Sequence, residues 1–167
     1  TGAGTPPNIE AARAIMETIA PSTNDPAVKY YIVGNICRSL DVKGETPSNA
    51  TLVGRADDIL PWLQSADIGL NTVISGSGSN IKLAEYAAAG LPVVSTEFGT
   101  RGYPDLESHI RVAPIDEFSR VVRETTWPNN IPTSALQAYS WKTSARRLGE
   151  VYLGLLSQPV GSRNRRN

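Results

Sequence analysis

The sequence predicts an α/β domain built as a doubly wound parallel sheet with helices on both faces, and three observations carry that prediction. Short apolar runs rich in β-branched residues alternate with helix-patterned segments along most of the chain. One run, Leu91-Pro92-Val93-Val94-Ser95, is apolar almost without interruption, as a strand covered on both faces requires. The strands empty into Gly- or Ser-containing loops at Gly34, Gly54, Ser75–Asn80 and Phe98–Gly102. In such a sheet those loops gather at the carboxyl edge, where ligands bind.

Size and composition set the frame. The 167 residues, 40% hydrophobic, suffice for one proper core, expected over residues 1–160, with a short basic tail at 161–167 read as disordered. Formal net charge is zero, so no global field draws the chain to nucleic acid or to an anionic membrane. The single cysteine, Cys37, excludes an internal disulfide and fits a reducing compartment, hence a cytoplasmic location; it reads as an ordinary thiol. No apolar run approaches the roughly 20 residues that span a bilayer. No cluster of carboxylates or histidines calls for a metal.

Taken in order, Thr1–Pro7 is a loop, and Asn8 caps a helix to about Ala20 with an apolar stripe of Ile9, Ala12, Ile15, Met16 and Ile19. Pro21–Val28 is turn-rich, Tyr30–Val33 is a strand ending at Gly34, and Ser39–Asn49 is a loop. Thr51–Val53 is a second strand, turned by Gly54-Arg55 into a helix over Asp57–Ala66 whose acidic start suits the dipole. Ile68–Leu70 is the strand that leads into the central loop. Beyond Gly102, Ile110–Val112 is an edge strand and Asp116–Thr125 a helix with Phe118, Val121 and Val122 inward. His109, the one histidine, reads as a surface residue, and a last helix follows Ser140-Trp141 through Leu156.

The candidate site lies in the stretch from Asn71 to Gly102. Ser75, Gly76, Ser77, Gly78 and Ser79 give a flexible backbone with little bulk, so amide N–H groups can approach a ligand closely. Asn80 is an N-cap candidate for an Ala-rich helix on which Ile81, Ala84 and Ala88 share a face, with Gly90 and Pro92 as its stop. Unpaired N–H donors and the positive end of the helix dipole suit a phosphate. Lys82 in the first turn opposes the dipole; it either meets a bound anion or projects into solvent. Glu85, at i,i+3 from Lys82, is either its ion-pair partner or an acceptor for sugar hydroxyls.

The run 53–71, Val-Gly-Arg-Ala-Asp-Asp-Ile-Leu-Pro-Trp-Leu-Gln-Ser-Ala-Asp-Ile-Gly-Leu-Asn, followed by Gly-Ser-Gly-Ser-Asn-Ile-Lys-Leu-Ala-Glu-Tyr-Ala-Ala-Ala-Gly-Leu-Pro-Val-Val-Ser-Thr, resembles the C-terminal half of a GT-B glycosyltransferase of the retaining family 4, glycosyl transferases group 1. The resemblance extends from about Pro6 to Leu156. It implies a Rossmann-like domain, one half of a GT-B fold, whose first strand would precede this chain. The implied function is to hold a nucleotide-diphospho-sugar for hexosyl transfer to an acceptor, with no metal and no cofactor beyond that donor. Gly34 and Asn35 would edge the nucleotide pocket, and Gly54 and Arg55 would lie beside the base, Arg55 having a plain surface role as its alternative. Ser77, Gly78, Ser79, Asn80, Ile81 and Lys82 would stabilise the diphosphate, and Glu85 would accept from the ribose hydroxyls. Lys82 and Glu85 are the catalytic candidates.

The family's first motif glutamate falls on Ser77 here, and the family's Arg and Lys that contact donor phosphates have no matching pair near the N-terminal helix. The resemblance also implies an N-terminal acceptor domain as partner, to which any peripheral membrane association would belong. The 167 residues alone are then expected to bind donor but transfer nothing. In the family's closing segment an aromatic anchors the last helix, and Val151, Leu155 and Leu156 would be partly exposed. Two other readings stand beside this one. A degenerate GT-B module could serve assembly, and a nicotinamide-dependent enzyme would need G-x-G-x-x-G, of which Thr1-Gly2-Ala3-Gly4 is a partial echo broken at Pro7.

Overall fold

The computed structural model describes residues 2–41, 45–77, 80–124, 126–127 and 131–157. It divides into two compact units, Thr1–Ile131 and Pro132–Asn167, where one domain over 1–160 was expected.

In the first unit, helix α1 (Pro6–Arg13) runs on through a wider π-helical turn, Ala14–Ile19, and ends with Ala20–Ser22. Its start differs from the sequence reading. Pro6 opens the helix, where its missing N–H costs nothing, and Thr5 holds the cap position. Asn8 therefore sits inside the helix, and its side-chain amide donates to the Ala3 carbonyl at 3.0 Å.

Strand β1 (Tyr30–Val33) pairs in parallel with β2 (Ala50–Gly54), Tyr30 opposite Ala50. Helix α2 (Leu60–Gln64) is shorter than the expected Asp57–Ala66. Asp58 instead accepts from the Leu60 N–H at 2.9 Å, a side-chain turn that competes with helix and delays its start to the Leu60-Pro61 step.

Strand β3 (Gly69–Asn71), helix α3 (Ile81–Ala88) and strand β4 (Val93–Ser95) follow, and β5 (Ile110–Val112) lies at the edge as expected. All pairings are parallel, with Gly69 opposite Val93 and Val93 opposite Ile110. The strands thus form two parts, β1-β2 and β3-β4-β5, flanked by helices.

Helix α3 turns inward the face of Leu83, Tyr86 and Ala87, not that of Ile81, Ala84 and Ala88. Leucine and tyrosine bury more apolar area than alanine, and area decides the orientation. The Tyr86 ring is seated directly over Gly69, where a Cβ would lie 2.6 Å from Cδ2. At its far end Gly90 N–H donates to Ala87 and Leu91 N–H to Tyr86, a Schellman turn that fulfils the expected stop.

The core joins Met16 and Ile19 to Tyr30, Ile32, Val94, Phe118 and Val121. Phe118 and Val121 stand on helix α4 (Phe118–Val121), and with Val122 they point inward as expected. Each such side chain contributes about 1.5–3 kcal/mol by leaving water.

The second unit holds α5 (Thr133–Gln137) and α6 (Trp141–Leu156). Ser140 caps α6, its Oγ accepting from the Thr143 N–H at 3.2 Å. Trp141 is 86% exposed, so it does not anchor this helix, while Val151, Leu155 and Leu156 are exposed as expected. The basic tail at 161–167 lies outside the described residues.

Gly69→Ala forces a methyl into the buried Tyr86 ring. It should cost about 1–3 kcal/mol in urea denaturation, with the far-UV spectrum unchanged.

Candidate functional site at the carboxyl edge of the strands

Two groups of candidate residues form where the parallel strands end. On the β1-β2 side Gly34 follows β1, and its N–H donates to the Gly54 carbonyl at 2.6 Å, drawing those two loops together. Asn35 is exposed at the start of a single helical turn, Asn35–Arg38. Arg55 is exposed, 3.6 Å from the still more exposed Asp57; a pair so solvated contributes little. Close by, the half-buried Cys37 thiol donates to the Ile32 carbonyl at 3.1 Å.

The second group surrounds the start of α3, and its geometry is dictated by a buried amide. Asn71, the last residue of β3, is 1% exposed. Its Nδ2 donates to Ser95 Oγ at 2.9 Å and to the Gly99 carbonyl at 3.1 Å. Its Oδ1 accepts from Asn80 Nδ2 at 2.9 Å. Asn80 Nδ2 also donates to the Gly99 carbonyl, at 3.1 Å. Asn80 occupies the N-cap position of α3, as expected, but its side chain is committed to Asn71 and Gly99 and does not cap the helix. Among the described residues the first turn of α3 has no side-chain cap, and of its N–H groups that of Leu83 donates to the Asn80 carbonyl at 3.0 Å.

Lys82 stands in that first turn. Its Nζ donates to Asn8 Oδ1 at 2.5 Å, and among the described residues it forms no ion pair with Glu85, which is exposed. Burial holds the ammonium below the ordinary lysine value of 10.5, and the charge of Glu85 offsets part of that shift. Ile81 is 54% exposed beside it. Ser77 is exposed, and Gly78 and Ser79 lie outside the described residues.

Asn71, Asn8, Glu10 and Arg101 complete the surroundings, and the sequence reading named none of them as a site residue. Asn8 fixes Lys82. Ser75 Oγ donates to the Glu10 carboxylate, tying the central loop to α1. Arg101 donates to the Gly76 carbonyl at 3.2 Å and stacks over Phe98, 3.6 Å from the ring centroid. The signal that could have found Asn71 is a lone amide ending the apolar run Ile68-Gly69-Leu70. For Asn8 no such signal exists, since its partner is 74 positions away.

The two groups are joined through the first residues. Gly2 N–H donates to Val33 O at 3.2 Å, Gly2 O accepts from Ile36 N–H at 3.2 Å, and Ala3 O accepts from Asn8. The family model for glycosyl transferases group 1 matches residues 2–124.

The chain belongs to the glycosyl transferases group 1 family. The match covers α1 to α4 and all five strands, consistent with one half of a GT-B glycosyltransferase, and stops before the second unit. Comparison with curated proteins returns no match. As a glycosyltransferase-family domain it has a role in glycosyl transfer. No helix among the described residues is long and apolar enough to cross a membrane.

The lowered Lys82 value has a direction that stability can report. Between its folded value and 10.5 the unfolded chain binds more protons than the folded one, so stability rises with pH across that window. Urea midpoints measured as pH is raised toward 10.5 should climb in the wild type relative to Lys82→Met, which lacks the group.

Proposed function

We propose that this domain binds the nucleotide-diphospho-sugar donor of a retaining hexosyltransferase, with the diphosphate at the start of α3. The observation that supports this most is Lys82: a half-buried cation at a helix N-terminus, held by a neutral amide and, among the described residues, by no carboxylate. A diphosphate would meet the ammonium, the first-turn N–H groups and the positive dipole end together. Ser77, Gly78 and Ser79 would approach its oxygens through their backbone. Glu85, exposed and unpaired with Lys82, would accept from the ribose hydroxyls, while Gly34, Asn35, Gly54 and Arg55 would edge the base.

In the reaction so proposed, the glycosidic bond breaks as charge accumulates on the departing diphosphate. Groups already aimed at that charge stabilise it more than they stabilise the bound donor, which is what lowers the barrier. No protein-held metal or cofactor takes part. The acceptor would be brought by an N-terminal domain of the GT-B pair, working in the cytoplasm, and without it the present domain would bind donor and transfer nothing.

Calorimetric titration with UDP, GDP and ADP and their glucose or mannose conjugates tests the proposal. One nucleotide should bind saturably. Lys82→Ala should weaken it about 10- to 100-fold, the equivalent of ~1.5–3 kcal/mol for a charge-assisted contact, and Glu85→Ala should weaken the nucleotide but not inorganic pyrophosphate. A folded protein with no saturable binding at millimolar ligand would overturn it.

A further inference from the structure

We infer that Arg101 is a second cation for the donor's diphosphate, its guanidinium meeting the phosphates from the loop after β4 while Lys82 meets them from the first turn of α3. The inference rests on the sugar-donor reading and deepens it. A nucleotide-diphospho-sugar carries a negative charge on each phosphate, and charge grows on the departing diphosphate as the glycosidic bond breaks. Lys82 supplies one positive charge, so a second cation at the entry to α3 would complete the balance.

A short series of contacts leads from Arg101 to Lys82. The Arg101 guanidinium donates to the Gly76 carbonyl at 3.2 Å. Gly76 lies against the Pro7 ring, so closely that a Cβ would stand 2.7 Å from Pro7 Cγ. Pro7 is followed by Asn8, whose Oδ1 accepts from Lys82 Nζ at 2.5 Å. On the other side the Gly99 carbonyl, shortly before Arg101 in the chain, accepts from Asn80 Nδ2 at 3.1 Å, and Asn80 is the N-cap residue of α3. Both cations therefore border the entry to that helix.

Arg101 is also prepared for an anion. It is exposed, and among the described residues it forms no ion pair. Its Cζ stands 3.6 Å from the Phe98 ring centroid, a stacking that fixes the plane of the guanidinium and covers a face of it. The N–H groups lie along the edge, in the fork that matches phosphate oxygens. Gly76 takes one of them through a neutral oxygen, which leaves the positive charge intact. The shelf beneath is itself held. Phe98 opens the single turn Phe98–Thr100, in which Gly99 N–H donates to Thr96 Oγ1 at 2.9 Å, and Thr96 N–H donates to the Asn71 carbonyl at 3.1 Å. A long side chain ordered in advance gives up less entropy when a ligand arrives. A bond to Gly76 alone would need only a neutral donor, so charge is the property that separates a phosphate contact from a staple on the loop.

Calorimetric titration of the 167-residue chain with inorganic pyrophosphate tests the inference, with Arg101→Lys, which keeps the charge, and Arg101→Gln, which keeps an N–H donor for Gly76. The wild type should bind saturably, Arg101→Gln about tenfold more weakly, and Arg101→Lys between the two. The gap between wild type and Arg101→Gln should narrow as sodium chloride is added, because salt screens an exposed charge and leaves a neutral staple unaffected. Urea midpoints of the three should coincide, since the side chain is exposed. Equal affinity of wild type and Arg101→Gln overturns the inference and leaves the sugar-donor reading standing. A gap indifferent to salt, or Arg101→Lys as weak as Arg101→Gln, also overturns it and assigns Arg101 to shaping the loop at Gly76. No saturable pyrophosphate binding by the wild type overturns it too, and the titrations with UDP, GDP and ADP then show whether the sugar-donor reading falls with it.

Discussion

The carboxyl edge of this domain depends on satisfying one buried amide. Asn71 has two N–H donors and a carbonyl acceptor with almost no access to water, and leaving any of them unpaired costs about 1–3 kcal/mol. All three are answered by Ser95 at the end of β4 and by Asn80 and Gly99 of the loops after β3 and β4. The loops must therefore come to the amide. Gly99 has to be a glycine for this to work, because a Cβ there would lie 2.5 Å from both Asn71 Nδ2 and Ser95 Oγ. Thr96 closes the arrangement, receiving the Gly99 N–H at 2.9 Å while its hydroxyl bonds the Val73 carbonyl. A fully satisfied network of this kind permits one geometry and penalises the alternatives. The start of α3 is thereby held in place before any ligand arrives, which lowers the ordering cost of binding.

The first helix is the strut between the two part-sheets. Its C-terminal half packs Met16 and Ile19 against side chains from both β1 and β4. Its N-terminal half is pinned to the other side by polar contacts: Ala11 carbonyl accepts from Thr72 Oγ1 at 2.7 Å, Glu10 from Ser75, and Asn8 from Lys82. Apolar packing thus sets where the helix lies, and three side-chain contacts set its rotation and height. That division explains why α1 can reach the site although it belongs to the core.

What could be read from the sequence was whatever is decided locally. The strands at Tyr30–Val33, Val93–Ser95 and Ile110–Val112, the stop at Gly90 and the inward Phe118, Val121 and Val122 follow from short-range pattern, and the structure has them. Pattern failed where two local signals competed. Asp58 drew the backbone into a side-chain turn and shortened α2, and Pro6 took the helix start that Asn8 had been expected to hold. It failed again on α3, where Tyr86 found a seat over Gly69 that only the fold creates. Within the site, Lys82 and the Gly/Ser loop were visible as an electrostatic misfit. Asn71, Asn8 and Arg101 were not, because each acquires its role from a partner far off in the chain.

The choice of partner for Lys82 has a consequence for what else could occupy its surroundings. A carboxylate at position 8 would hold the ammonium equally well in position, but it would also neutralise it. Such a residue would act as a tethered competitor, always present at high local concentration, against any anion arriving from solution. The amide of Asn8 supplies the same alignment through an oxygen that carries only a partial charge. The lysine is therefore oriented and still electrically hungry, a combination that a salt bridge at this position would abolish.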